Sequence, residues 1–142
     1  MAEARQDARP GTAQPLNTFD ADTAVSLEDR DGPRARFAAE VSPNWRAGRG
    51  PHGGYLAAMI LRALTETVAD PLRAPRSLTV HYTRAPEPGP ITITAVRERD
   101  GRSLSSLSGR MEQDGRLIAL VLAAFSVAWA GPEIDEAEPP EV

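Results

Sequence analysis

The 142-residue sequence predicts an α+β domain in which one strongly curved antiparallel sheet of about six strands wraps a single central helix. Three observations lead there. In GPHGGYLAAMILRAL, residues 50–64, seven apolar residues follow Gly53-Gly54, so the first half of a helix is apolar all round and needs cover on most sides. Two β-patterned segments precede that helix and four follow it, the later ones linked by turn dipeptides. No segment after Leu72 has a helical period, which sets aside a ferredoxin-like sandwich, since that would need a second long helix.

Taken in order, residues 1–17 are poor in apolar side chains and carry Pro10, Gly11 and Pro15, so they read as a disordered arm before a folded body spanning 18–130. FDADTAVSLE (19–28) and RARFAAEVS (34–42) alternate imperfectly around the turn signal DRDGP and predict a hairpin. PNWRAGRGP predicts a loop, and the helix follows from His52 to Ala69, ended by Pro71. RSLTVHYTRA places Leu78, Val80 and Tyr82 on one strand face and Thr79, His81 and Thr83 on the other, and PEPGP is the next turn. ITITAVRER, SLSSLSGRMEQ and LIALVLAAFSVAW form three strands joined at Asp100-Gly101 and Asp114-Gly115. Leu104 and Leu107 fall on opposite parities, which predicts a bulge between them. The last strand is apolar on both faces from Leu117 to Phe125, which predicts a central position or a covered second face. GPEIDEAEPPEV, residues 131–142, holds five acidic residues and three prolines and reads as a tail or linker. Strands wrapped in this order around one helix are the hotdog architecture.

Composition bounds the function. Hydrophobic residues make up 41% of a chain of this length, enough for one domain with a modest core. The net charge is −4 and the sixteen basic residues, all Arg, are scattered, so a nucleic-acid surface is not expected. With no Cys, disulfides, thiolate catalysis and zinc-thiolate sites are excluded, and two His residues without a carboxylate cluster argue against a metal. MAEARQDARPGTAQP has no apolar core of a secretory signal, and Tyr55–Val68 is too short and too interrupted by Arg62 and Glu66 to cross a bilayer. A cytoplasmic location without cofactor or membrane partner is the expectation.

The chemistry centres on the start of the helix. Its first backbone N–H groups lack intrahelical partners and carry the positive end of the dipole. Gly53 and Gly54, having no side chain, let a ligand carbonyl approach those groups, which is what acyl transfer requires. A purely architectural role, turning the loop and packing the helix, is the competing reading. His52 either orients a water or a ligand or satisfies backbone groups as an N-cap. Trp45, beside Asn44, either lines an apolar pocket or anchors the loop. Arg46 and Arg49 have the geometry to meet phosphates, or are solvated loop residues. Thr83 and Ser77 are placed to position a water, whereas His81 reads as a surface or interface residue. Ser103, Ser105, Ser106 and Ser108 lack the Gly-x-Ser-x-Gly elbow of a serine hydrolase.

GPHGGYLAAMILRAL, RSLTVHYTRAPEPGPITI and GRSLSSLSGRMEQDGRLIALVLAAF, in that order, resemble the acyl-CoA thioesterases of the hotdog superfamily, and most of all the N-terminal half of TesB-like thioesterases, over residues 34–127. The resemblance implies hydrolysis of an acyl-coenzyme A thioester whose carbonyl meets a Gly backbone N–H at the helix start. By position that donor is Gly54, with Gly53 or Tyr55 beside it. Similar single-domain thioesterases carry a carboxylate nine residues after the His, where this chain has Leu61; Glu66 and Asp70 lie too far along the helix to replace it. TesB-like members hold their polar catalytic trio mainly in a second hotdog domain. The resemblance therefore also implies a homodimer or pairing with a second hotdog domain, and it leaves a non-catalytic, acyl-CoA-binding half as the alternative. A hotdog hydratase ranks last, because His52 has no acidic partner nearby.

Overall fold

The computed structural model describes residues 18–138 and Pro140. The arm expected over 1–17 and the end of the acidic tail lie outside the described residues. Six strands form one antiparallel sheet in the order β1-β2-β6-β7-β8-β5, and a separate two-stranded ribbon, β3–β4, stands beside it. The elements run α1 (Thr18–Asp22), β1 (Ser26–Asp31), β2 (Arg34–Val41), a single 3₁₀ turn (Pro43–Trp45), β3 (Arg46–Ala47), β4 (Gly50–Pro51), α2 (Gly53–Val68), β5 (Ala74–Tyr82), β6 (Gly89–Asp100), β7 (Leu104–Gln113) and β8 (Arg116–Ser126).

The expected sheet and central helix are present, with three local differences. The first half of FDADTAVSLE is helical, so the strand expected from residue 19 begins at Ser26. Its polar positions bond locally: the Thr23 Oγ1 hydroxyl donates to Phe19 O at 2.7 Å, closing a turn in place of a ladder rung. The loop PNWRAGRGP contains the small ribbon, paired Arg46 to Pro51 and Ala47 to Gly50. No bulge separates Leu104 from Leu107, because β7 keeps even register with β8 there. The irregularity is across the ladder in β6, between Arg97 and Arg99. Leu104 accordingly points outward, 41% exposed, while Leu107 is buried.

Helix α2 presses one face into the concave side of the sheet. Tyr55, Leu56, Met59, Ile60, Ala63, Leu64, Thr67 and Val68 are buried, a pairwise i, i+4 stripe against Phe37, Ile91, Ile93, Leu107, Met111, Val121 and Phe125. The opposite face is covered only partly. Ala58 and Leu61 line a groove of about 520 Å³ with Phe19, Ala24 and Val25, so the helix is embraced rather than enclosed. On β8 the inner side chains are buried while Leu120 and Leu122 stand 39% and 64% exposed on the outer face. The strand lies one place in from the sheet edge, and on its second face Arg76 bonds Ser126 while Leu120 and Leu122 stay open to solvent.

Turns follow their local chemistry. Asp114 and Gly115 both take positive φ, 50° and 71°, as the tight β7–β8 hairpin demands. At the β6–β7 end the link is longer: Gly101 N–H donates to Leu104 O, and the Arg73 guanidinium bonds Gly101 O, Ser105 Oγ and Asp70 while pairing with Asp100. The Ser105 hydrogen bond, with Arg73 and Arg97 nearby, holds the Asp100 carboxyl below its ordinary range. Arg30 donates to the carbonyls of Glu66 and Thr67, satisfying the end of α2.

The helix stops at Ala69, whose φ of 53° puts a Cβ-bearing residue in the left-handed region as its N–H bonds Thr65 O. That conformation costs roughly 1–2 kcal/mol for an L-residue, and glycine's extra backbone entropy offsets about 0.5–1 of it. Ala69→Gly is therefore expected to stabilise the fold by about 0.5 kcal/mol, measured as a higher denaturation midpoint at unchanged slope; a lower midpoint would contradict the strain.

Candidate active site

The start of α2 is tied down by one knot of aromatic and acidic groups. Tyr55, 2% exposed, accepts the Ser42 N–H at 2.9 Å on its hydroxyl and donates to the carbonyls of Asp22 (2.9 Å) and Glu40 (3.3 Å). Trp45 stacks on the Tyr55 ring, centroids 5.6 Å apart, and meets the edge of Phe19. The indole Nε1 donates to Asp22 Oδ2 at 2.8 Å, and Asn44 Nδ2 reaches the same oxygen. The Trp45 hydrogen bond is the main cause holding the Asp22 carboxyl below its ordinary range. Trp45 is thus the loop's anchor, Asn44 part of that anchor, and Tyr55 a core residue rather than part of a cleft wall.

Beyond this knot the first peptide units of α2 are unequal. His52 is the N-cap, and its Nδ1 accepts the Gly54 N–H at 3.1 Å. The Gly53 carbonyl, at the other end of that peptide unit, receives the Tyr82 hydroxyl at 2.5 Å. The unit joining Gly53 to Gly54 is therefore satisfied at both ends. The preceding unit is not. Its carbonyl, His52 O, accepts the N–H groups of Tyr55 (3.1 Å) and Leu56 (3.3 Å), whereas its N–H, that of Gly53, has no acceptor among the described residues. Two donors on the carbonyl polarise the amide at its far side, so the Gly53 N–H is the stronger donor.

Gly53 lines a cleft of about 350 Å³ together with Pro51, Leu56, Tyr82, Thr83, Arg84 and Ala85. A cleft therefore lies at the helix start, and the N–H without an acceptor among the described residues is that of Gly53, one residue before the expected Gly54. Gly54 N–H is held by His52 and Tyr55 N–H by the first helical turn. A side chain on Gly53 would touch the Tyr82 ring at 3.4 Å, and one on Gly54 would sit 3.1 Å from the His52 imidazole. Burial pushes the Tyr82 hydroxyl up from its usual range, so it remains a proton donor to Gly53 O. Thr83 lines the cleft, yet its hydroxyl bonds the carbonyls of Leu117 and Ile118, which locks the end of β5 to β8. Arg49 is exposed on the β3–β4 turn, and His81 lies on the outer face of β5 opposite Leu120.

No carboxylate among the described residues lines this cleft, and none of them forms a metal-holding cluster. Leu61 looks into the groove beside α1. Asp70 is held by Arg73 at the far end of α2. Sequence reasoning placed Gly53 and Thr83 at the site but missed Tyr82, Arg84 and Ala85. The strand pattern put Tyr82 on one face with Leu78 and Val80, and that face of β5, turned toward α2, brings its hydroxyl to the helix start.

The chain belongs to the acyl-CoA thioesterase N-terminal domain family, which matches residues 41–127. Its hotdog fold is shared with a hotdog-fold protein of unknown function from Alicyclobacillus acidocaldarius: TM-score 0.74, 31% identity, 90% of this chain and 46% of that one. A structure from Thermobifida fusca described as a thioesterase II overlays with TM-score 0.75 at 24% identity, again over 90% of this chain and 46% of that one. In sequence, an uncharacterised protein of Mycobacterium tuberculosis is 30% identical over 104 residues, 66% of this chain and 35% of its own length. The chain thus spans about a third of that curated relative and under half of the two overlaid structures. No described helix is long and apolar enough to cross a membrane.

Two expectations follow. Gly54→Ala should push the His52 ring from its cap and lower stability by about 1 kcal/mol, the usual worth of an N-cap, read from denaturant melts; an unchanged midpoint would remove the cap from the argument. Asp22 and Asp100 bind protons less readily when folded, so stability is full above the ordinary carboxylate range and drains as pH falls through it. Asp22→Asn should therefore flatten the acid limb of stability between about pH 5 and pH 3, followed by tryptophan fluorescence.

Proposed function

We propose that this chain is a thioesterase domain acting on acyl-coenzyme A, the first half of a TesB-like pair, with cytoplasmic substrates. The observation that carries the reading is the polarised Gly53 N–H, without an acceptor among the described residues, on a residue that lines a cleft at the start of α2. The thioester carbonyl oxygen accepts that hydrogen bond and is stabilised as it becomes an oxyanion. A water attacks the carbonyl carbon, the C–S bond breaks, and CoA leaves as the thiol with a free acid as the other product. Gly54 and His52 hold the geometry of the site, with Tyr82 fixing the adjoining peptide, and Trp45, Tyr55 and Asn44 support it from behind. Thr83 and Tyr82 form the wall along which the thioester lies.

The base that activates water comes, in this reading, from a second hotdog unit. Strand β5 is an edge of the sheet, so its outer backbone groups are open to pairing, and the cleft opens at its end. A partner joined along β5 would bring its own side chains to the cleft, which no carboxylate among the described residues lines. The same lack favours a second reading, in which this chain binds acyl-CoA and leaves hydrolysis to its partner. The hydratase reading is disfavoured, because the His52 Nδ1 is engaged with Gly54.

The test pairs a panel of acyl-CoA esters with the solution mass of the purified chain. Turnover by a dimer, abolished in Gly53→Val with unchanged circular dichroism, is the expected result. Wild-type kcat in Gly53→Val would defeat the oxyanion assignment, and full turnover by a strict monomer would defeat the shared site. A dimer that binds acyl-CoA without turnover would select the second reading.

A further inference from the structure

Among the described residues, the side chains of seven arginines have neither a hydrogen bond nor an ion pair: Arg34, Arg46, Arg49, Arg84, Arg99, Arg102 and Arg116. The others are committed to carboxylates, carbonyls or hydroxyls. Three of the uncommitted ones come from two loops that meet at the cleft. Arg84 lines it directly. Arg46 stands opposite Pro51, another lining residue, in the β3–β4 ribbon. Arg49 adjoins Gly50, which packs so tightly on Ala85 that a Cβ there would come within 2.7 Å of the Ala85 Cβ. Replacing Gly50 would therefore part the two loops, so their close approach is built into the backbone.

Charge is distributed unevenly around this point. No carboxylate among the described residues lines the cleft, whereas the adjoining cavity beyond Arg84 is lined by Glu87 and Asp114 as well as Arg116. A polyanion seated at Arg84 is repelled from that second cavity and favoured toward the β3–β4 ribbon. Guanidinium groups without partners among the described residues, that of Arg84 in the cleft lining and those of Arg46 and Arg49 on the adjoining ribbon and its turn, match phosphate oxygens in geometry and charge.

We propose that Arg46, Arg49 and Arg84 form a phosphate-binding rim that recognises the nucleotide phosphates of coenzyme A, and so select a CoA thioester over one lacking them. The proposal rests on the thioesterase reading for its substrate, but the phosphate site can be tested without turnover. A phosphopantetheine arm on a carrier protein presents a single phosphate, while CoA presents three, so three arginines carried on two adjoining loops favour CoA.

The experiment measures binding of free CoA and of 3′-dephospho-CoA to the full chain by calorimetry at low and high salt, with the wild type, Arg84→Gln, Arg46→Gln/Arg49→Gln and, as a control, Arg99→Gln on distant β6. Affinity for CoA is expected to fall about ten-fold in Arg84→Gln and further in the double variant, with a shallower salt dependence, as for any loss of phosphate contacts. Arg84→Lys should restore part of it by keeping the charge. Arg99→Gln should match the wild type. In parallel, the preference for acyl-CoA over acyl-pantetheine, as a ratio of kcat/KM, should fall with the same variants. Wild-type CoA affinity and salt slope in the glutamine variants would overturn the rim, as would a wild-type chain that fails to bind CoA at low salt. Equal loss of CoA and 3′-dephospho-CoA places the arginines on the diphosphate, and selective loss of CoA places them on the 3′-phosphate; both support the rim. If CoA binds through these arginines but no thioester is hydrolysed, the rim stands and the catalytic reading fails.

Discussion

The Tyr55 hydroxyl is the point on which the geometry of this chain depends. It takes one amide hydrogen from the segment after β2 and gives its own proton between two carbonyls, one at the end of α1 and one on β2. Three chain segments that would otherwise leave buried backbone groups unmet are thereby fixed to the first turn of α2. Trp45 closes over the ring and is itself held by Asp22. Loss of the Tyr55 oxygen alone would leave several partners without a bond, so its effect would exceed that of a single hydrogen bond.

This rigidity accounts for the inequality of the helix-start peptides. A helix N-terminus ordinarily offers several free amide hydrogens in equal measure. Here the cap takes the Gly54 N–H and the first turn takes those of Tyr55 and Leu56, while that of Gly53 has no acceptor among the described residues. The remaining donor sits on a peptide unit whose carbonyl is doubly bonded, so the field at the cleft is concentrated at Gly53 rather than spread. Selectivity among chemically identical groups thus arises from which of their neighbours are already occupied.

Much of the architecture was legible in the residues, because its signals are strong and local. The apolar run from Tyr55 to Leu61, the Asp114-Gly115 turn and the stop before Pro71 each specify an element without help from the rest of the fold. The helix α1 was not legible: Phe19 reads as the start of a strand until Trp45, more than twenty residues later, offers its ring edge. The same holds for the site. Gly-Gly before an apolar run announces an exposed helix start, but which glycine keeps a free amide depends on how the His52 imidazole turns, and the Tyr82 phenol reaches the Gly53 carbonyl from β5. The second of these is a tertiary fact. The parity of Leu104 misled for a related reason, since the irregular register belongs to the opposite strand.

The two edges of the sheet differ in kind. Strand β1 reads Ser-Leu-Glu-Asp-Arg-Asp and is exposed throughout, a charged border that discourages addition of another strand. Strand β5 carries half-buried Leu78 and Val80 with Thr79 between them, and no residue of opposing charge guards its middle. Growth through such a sheet is one-sided. A copy arriving antiparallel at β5 consumes the receptive border of both molecules and leaves two repelling ones outward, so the association closes on a two-fold axis and cannot propagate into a fibre.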